Sequence, residues 1–310
     1  MRLIWFGALA AQLAGIGPGF AQQPCRSTVV GDLRIEHFES KMYRKTMTVR
    51  IWLPSGYGDV ISSTRKYPTL YMLDGQNAFD ECTAFEGEHE LQVDEAVTRL
   101  IEEGKIPPMI VVGIDSTQDR DYEYEPWKNP ITDGGAPEPM GKQLPSFFAN
   151  ELLPYVSKRY RVSESAAHTG IGGTSLGGAA ALYVALNRPD LFGLALLQSP
   201  DLLLGNGQLL RDTTLLARAP DRVAIGVGTN ELDFPKVEEY LAPFRVTRQD
   251  VEPAIVKLNR ILAENLKAAF IKPPQVMLIV EPGANHSAVY WSRRMPDAIA
   301  FLYGESGTVK

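Results

Sequence analysis

Hydrophobic and polar positions alternate in the first third of the chain and then change period. Asp32 to Ser40 and Thr46 to Leu53 alternate polar and apolar residues, as half-buried antiparallel strands do. Pro54-Ser55-Gly56-Tyr57-Gly58 reads as a turn. From Tyr67 the alternation gives way to short apolar runs separated by longer amphipathic stretches. Apolar runs at 67–73, 109–114, 194–197, 223–227 and 276–280 predict strands buried on both faces. Helical periodicity is read near 89–103, 147–160, 177–187, 250–270 and 288–303. The helix near 250–270 carries Ile255, Leu258, Leu262, Leu266 and Phe270 on one stripe, a packing face rather than a partner site. Strand and helix in alternation imply a mostly parallel sheet covered on both faces, entered through antiparallel N-terminal strands.

Two segments interrupt this pattern. Residues 116–146 are rich in Pro, Gly, Asp and aromatics, and residues 232–250 are likewise irregular. Both follow strands at the carboxyl edge, where open α/β sheets bind ligands. Tyr122, Trp127 and Phe234 lie in them and are candidate substrate-pocket walls, as is Trp291 further on. Each aromatic could equally be core.

The junction between two such elements carries the chemistry. Gly170 to Ala179 reads Gly-Ile-Gly-Gly-Thr-Ser-Leu-Gly-Gly-Ala, and Gly173, Ser175 and Gly177 form one Gly-x-Ser-x-Gly. A strong helix former, Ala179 to Leu186, follows it. A serine at a strand-to-helix turn is the nucleophile elbow of an α/β-hydrolase, where glycines admit a turn too tight for a Cβ. A phosphate loop would need a Lys after the last Gly, or a third Gly in Gly-x-Gly-x-x-Gly; neither is present. A purely structural turn would need no partners, so the partners decide.

In this fold the order is Ser, then acid, then His. Of His37, His89, His168 and His286, only His286 follows Ser175, in a loop directly after the apolar run 276–280. The acid belongs after the strand 223–227, where Glu231 and Asp233 are both candidates and Glu231 sits nearer the strand end. Oxyanion donors are expected at the amide of Leu176, just after the serine, and at Gln76, after the strand 67–73.

Taken together, these pieces resemble the "Putative esterase" branch of α/β-hydrolases, which includes enterochelin (siderophore) esterases, feruloyl and acetyl-xylan esterases, S-formylglutathione hydrolase and mycolyltransferases. The resemblance covers residues 40–303. It rests on Tyr67-Pro68 through Leu73-Asp74-Gly75-Gln76, Val111 to Asp115, Gly172 to Gly178, Gly228-Thr229-Asn230-Glu231 and Gly283-Ala284-Asn285-His286-Ser287. It implies that Glu231 rather than Asp233 is the acid. It further implies a serine hydrolase of a carboxylic ester: a siderophore, a feruloyl or acetyl sugar, or a simple ester. The mycolyltransferases make acyl transfer by the same nucleophile the alternative, and a ligand-binding module with a vestigial site is a further one.

Composition narrows the partners. The 310 residues carry a net charge of −6, with no basic tract that would suit nucleic acid. No Cys/His cluster with zinc spacing, HExxH or calcium loop is found, so neither metal nor cofactor is expected. Arg2, the apolar run 3–16 and Gly19-Phe20-Ala21 read as a signal peptide over 1–21, leaving one catalytic domain over 22–310. Secretion or delivery to a periplasm is expected, with no stable membrane insertion once the signal is removed. The only cysteines, Cys25 and Cys82, both lie in the mature chain and are either one disulfide or two free thiols.

Overall fold

The computed structural model describes residues 25–85, 89–128, 138–242, 245–269 and 271–304, so the signal segment and part of the 116–146 insertion lie outside the described residues. Its centre is a sheet of β1 (Asp32–Ser40), β2 (Lys45–Leu53), β3 (Thr69–Leu73), β4 (Ile110–Ile114), β5 (Thr169–Thr174), β6 (Leu194–Gln198), β7 (Arg222–Gly228) and β8 (Gln275–Glu281). The order across the sheet is β1-β2-β4-β3-β5-β6-β7-β8. β1 and β2 pair antiparallel, as do β2 and β4. Every pairing from β4 through β3, β5, β6 and β7 to β8 is parallel. This is the α/β-hydrolase arrangement expected from the sequence.

The helices are α1 (Val93–Glu102), α2 (Arg120–Tyr124), α3 (Leu144–Phe147), α4 (Leu153–Ser157), α5 (Ser175–Asn187), α6 (Leu204–Asp212), α7 (Val237–Leu241), α8 (Arg248–Lys267) and α9 (Ala288–Tyr303). Successive strand residues point to opposite faces, and both faces are apolar. Leu70 and Met72 of β3 enter a core with Val97 and Leu100 of α1 and Ile299 and Leu302 of α9. Tyr71 and Leu73 enter the other, with Phe147, Phe148, Leu182 of α5 and Leu262 of α8. Continuous apolar runs rather than alternation are what a strand covered on both faces requires.

The structure departs from the periodicity in four places. α1 starts at Val93, not near 89, because Gln92 takes a left-handed conformation (φ 52°). The run 147–160 is α3 and α4 joined by a wider π-type turn at Phe148–Leu152. The irregular segments contain short helices, α2 and α7, and α8 begins at Arg248, behind a Thr247–Asp250 capping box. α6 was not expected at all; Gly205, Asn206 and Gly207 interrupt it with positive φ and blur its periodicity.

The segment before β1 is strapped to the body. Cys25 and Cys82 form a disulfide, which settles the alternative left open by the sequence. Ser27 Oγ donates to Asp80 at 2.8 Å, Thr28 Oγ1 to Glu90 at 2.5 Å, and the Val30 amide to Asp94 at 2.7 Å. Closing a 57-residue separation removes about 4 kcal/mol of unfolded-state entropy in the chain-entropy account. Replacing both cysteines by serine is therefore expected to lower stability by about 2–4 kcal/mol, read from urea melts.

Beneath the strap lie Glu90 and Asp94, 1 % and 0 % exposed. Burial pushes Glu90 up to about 7 and drives Asp94 in the same direction, reinforced by Glu95 beside it. An unfolded chain ionises these carboxyls near their ordinary values and the folded one only later. The contribution of these two carboxyls to stability is therefore fully present below the ordinary carboxyl range and is lost as pH rises through about 7. Glu90→Gln is expected to flatten this dependence; thermal melts of both proteins at pH 5 and pH 8 would show whether the variant loses less than wild type.

Candidate active site

Ser175 stands between the last residue of β5 and the first turn of α5 with φ 55°, a left-handed conformation on a non-glycine residue. The sequence around it makes that turn feasible. A Cβ added at Gly173 would come within 2.5 Å of the Gly177 carbonyl carbon and oxygen, so strand and helix backbones touch where a side chain would stand. The serine hydroxyl is thereby raised at the carboxyl edge of the sheet, and α5 directs its N-terminus toward it.

His286 reaches it from the loop after β8. Its Nε2 lies 2.8 Å from Ser175 Oγ, and its Nδ1 lies 2.6 Å from Glu231 Oε2. Glu231 comes from the loop after β7, and the neighbouring loops are locked together. Asn230 N–H donates to Ala284 O at 2.9 Å, Thr229 N–H to Glu281 O at 3.1 Å, and Gly283 N–H to Thr229 Oγ1 at 2.8 Å. Only glycine fits at 228, where a Cβ would meet Ala284 O at 2.1 Å. Glu231 is 2 % exposed. Burial alone would push its carboxyl up, but hydrogen bonds from His286, Ser199 Oγ and the Gly228 amide outweigh it and hold the group below its ordinary value. Asp233 turns away and pairs with Arg248 at 2.8 Å. The sequence-predicted trio of Ser175, His286 and Glu231 thus forms one hydrogen-bonded chain.

β3 is the neighbour of β5, so Gln76 and Leu176 emerge at the same edge. Gln76 sits in a tight turn, Gly75–Asn77, whose side-chain amide donates to Ser116 Oγ at 2.8 Å and accepts the Ser116 amide at 2.9 Å. The residue before it, Asp74, is buried with φ 59°, and its carboxylate takes Arg120 in two parallel bonds of 2.7 and 2.8 Å. That carboxylate lies where a Cβ on Gly177 would meet it at 2.6 Å, which ties the β3 turn and α2 to the elbow. Nothing in the sequence pointed to Arg120, because its partner is 46 residues away.

The four aromatics divide. Trp291 packs edge-on against His286, ring centres 4.9 Å apart, and its indole N–H donates to Ser199. Trp127 packs edge-on against Tyr183 of α5 at 5.4 Å. Tyr122 on α2 and Phe234 near Glu231 are each 36 % exposed on segments bordering the site. Among the described residues, Glu90, Asp94 and Glu95 are the group whose carboxylate oxygens lie within 4.8 Å of one another; they belong to the N-terminal strap, not to this site.

The family described as "Putative esterase" matches residues 40–302. The chain belongs to that family. Membership supports a carboxylic ester hydrolase as the reaction class. The chain is 22 % identical to the uncharacterized protein YbbA of Bacillus subtilis over 83 % of this chain and 92 % of that one. Among solved structures it is similar to siderophore hydrolase EstB of Aspergillus nidulans (TM-score 0.69, 16 % identity, 91 % of this chain and 99 % of that one). It is also similar to an IroE-like serine hydrolase of Shewanella oneidensis (TM-score 0.66, 22 % identity, 88 % and 80 %). These structural likenesses establish the esterase family's fold.

Gly173→Ala is expected to separate β5 from α5, because the displaced atoms are backbone on both sides. Ester turnover should drop at least about 10-fold, or the protein should lose about 1–3 kcal/mol of stability; steady-state kinetics beside a thermal melt would read both.

Proposed function

We propose that this esterase is an exported serine hydrolase acting through an acyl-enzyme on a small-molecule carboxylic ester. The observation that carries the reading is the unbroken chain from Ser175 Oγ through His286 to Glu231, at 2.8 and 2.6 Å. Ser175 Oγ attacks the ester carbonyl while His286 Nε2 takes its proton. His286 then gives that proton to the departing alkoxide, leaving Ser175 acylated. Water, deprotonated by the same nitrogen, attacks the acyl carbonyl, and the acid departs with Ser175 restored. Glu231 stays ionised, accepts a hydrogen bond from Nδ1–H and stabilises the imidazolium. The amides of Leu176 and Gln76 hold the oxyanion, each worth about 3 kcal/mol in the transition state.

Siderophore esters are the first substrate class to try, because EstB carries that activity in its name, with feruloyl or acetyl sugar esters and simple esters behind. Tyr122, Trp127, Phe234 and Trp291 are assigned to the walls around the acyl and alcohol groups. Export is supported by the signal-like run 1–21 and by a disulfide, a bond that persists in oxidising compartments. The mature catalytic domain is then 22–310. No helix among the described residues is long and apolar enough to cross a membrane.

A panel of p-nitrophenyl esters, a trilactone siderophore and a feruloyl sugar ester, run with wild type and Ser175→Ala, tests this. Ser175→Ala should lose at least about 10³-fold in kcat, and Glu231→Gln about 10²- to 10⁴-fold. A fluorophosphonate should label wild type at Ser175 alone. A folded Ser175→Ala protein with full turnover would remove the assignment, and release of a new ester rather than free acid in the presence of an alcohol would make the enzyme a transferase.

A further inference from the structure

We infer that Ser199 is a positioning residue for the reaction. Its hydroxyl, polarised by two side chains of α9, fixes the acid Glu231 and through it the tautomer of His286. This rests on the triad reading above. The residue follows the last position of β6, is 4 % exposed, and has φ 45°. Positive φ on a serine is strained by about 1–3 kcal/mol and persists where surrounding structure imposes it.

The hydrogen bonds around Ser199 Oγ leave one arrangement of protons. Trp291 Nε1 approaches at 2.9 Å and Arg294 Nη2 at 3.4 Å. Indole and guanidinium nitrogens donate and never accept. A hydroxyl has two lone pairs and one proton, so both lone pairs are taken and the proton has a single remaining direction. That direction is Glu231 Oε1, 2.7 Å away. Oε1 also receives the Gly228 amide, which leaves Oε2 to accept from His286 Nδ1. With the proton on Nδ1, Nε2 is the free base facing Ser175. Arg294 is itself held, 3 % exposed, by Gln198 Oε1 at 2.8 Å and Glu281 Oε2 at 3.1 Å. Donation therefore runs one way, from α9 through Ser199 to Glu231.

Two substitutions separate this role from mere packing. Ser199→Gly accepts φ 45° without strain and removes the hydroxymethyl group, so it is expected to stay folded yet lose about 10- to 100-fold in kcat with KM within twofold. Trp291→Phe keeps the ring beside His286 and removes one donor to Ser199; it should lose a smaller factor, about 3- to 10-fold. Because Ser199 acts through Glu231, Ser199→Gly in a Glu231→Gln background should add less than about threefold, and Trp291→Phe in a Ser199→Gly background equally little. Wild-type kcat in Ser199→Gly, or an undiminished loss in the Glu231→Gln background, would overturn the role. Ser175→Ala is run alongside. If it is inactive while the Ser199 variants match wild type, the positioning role alone falls. If it keeps turnover, the nucleophile assignment falls and the positioning role goes with it.

Discussion

The site hangs on the meeting of two backbones at the β5–α5 junction, where no side chain fits between Gly173 and Gly177. That close approach forces the chain to reverse within a few residues, and Ser175 takes the left-handed conformation at the bend. Its direction is then set by covalent geometry rather than by any attraction to substrate. Everything else is arranged around a hydroxyl that cannot go elsewhere: the β8 loop brings His286 to it, and the β7 loop brings Glu231 to His286. The strain is local and small beside the packed β5, every residue of which is buried.

The same device recurs on the neighbouring strands. Asp74 directly after β3, Ser175 directly after β5 and Ser199 directly after β6 are all non-glycine residues with positive φ, and β3, β5 and β6 lie side by side. Each side chain has a polar partner from another part of the chain: Arg120 for Asp74, His286 for Ser175, Glu231 for Ser199. A strand ending in an ordinary extended turn would carry its next side chain on along the sheet. A left-handed residue instead turns the side chain sharply just beyond the strand, where three strands and the α5 N-terminus converge. A row of strained residues at one edge is the pattern expected where the fold has been bent to a task, and it coincides with the hydrogen-bonded trio.

How much of this the sequence disclosed depended on distance along the chain. The elbow was legible because its glycines and serine sit within five consecutive positions and steric necessity writes them together. His286 was legible because chain order narrowed four histidines to one; the strand end left two acids, of which its proximity and the family resemblance favoured Glu231 over Asp233. Ser199 was not, since a serine after an apolar strand has many ordinary explanations, and its partners Trp291 and Arg294 lie more than 90 residues away. The Asp74–Arg120 pair was hidden for the same reason. Among the elements, runs buried on both faces were readable from apolarity alone. α6 was not, because left-handed residues inside it break the 3.6-residue period.

The N-terminal strap bears on the chemistry as well as on stability. Cys82 is followed by Thr83, whose hydroxyl donates to the Gln76 carbonyl at 2.7 Å, while the Phe85 amide donates to Asn77 Oδ1 and the Leu91 amide to the Asn77 carbonyl, both at 2.8 Å. The turn that carries the proposed oxyanion amide is therefore gripped by the segment the disulfide anchors. An oxyanion donor acts well only if it is already aimed when charge develops, since reorganising it would consume the stabilisation it provides. Thr83 and Phe85, next to the disulfide, and Leu91, next to α1, brace the turn that carries such a donor. The bond suited to an oxidising compartment thus sits one residue from a hydrogen bond to the reacting edge. The disulfide and the backing of the proposed oxyanion turn thus lie, in this chain, in the same stretch of residues.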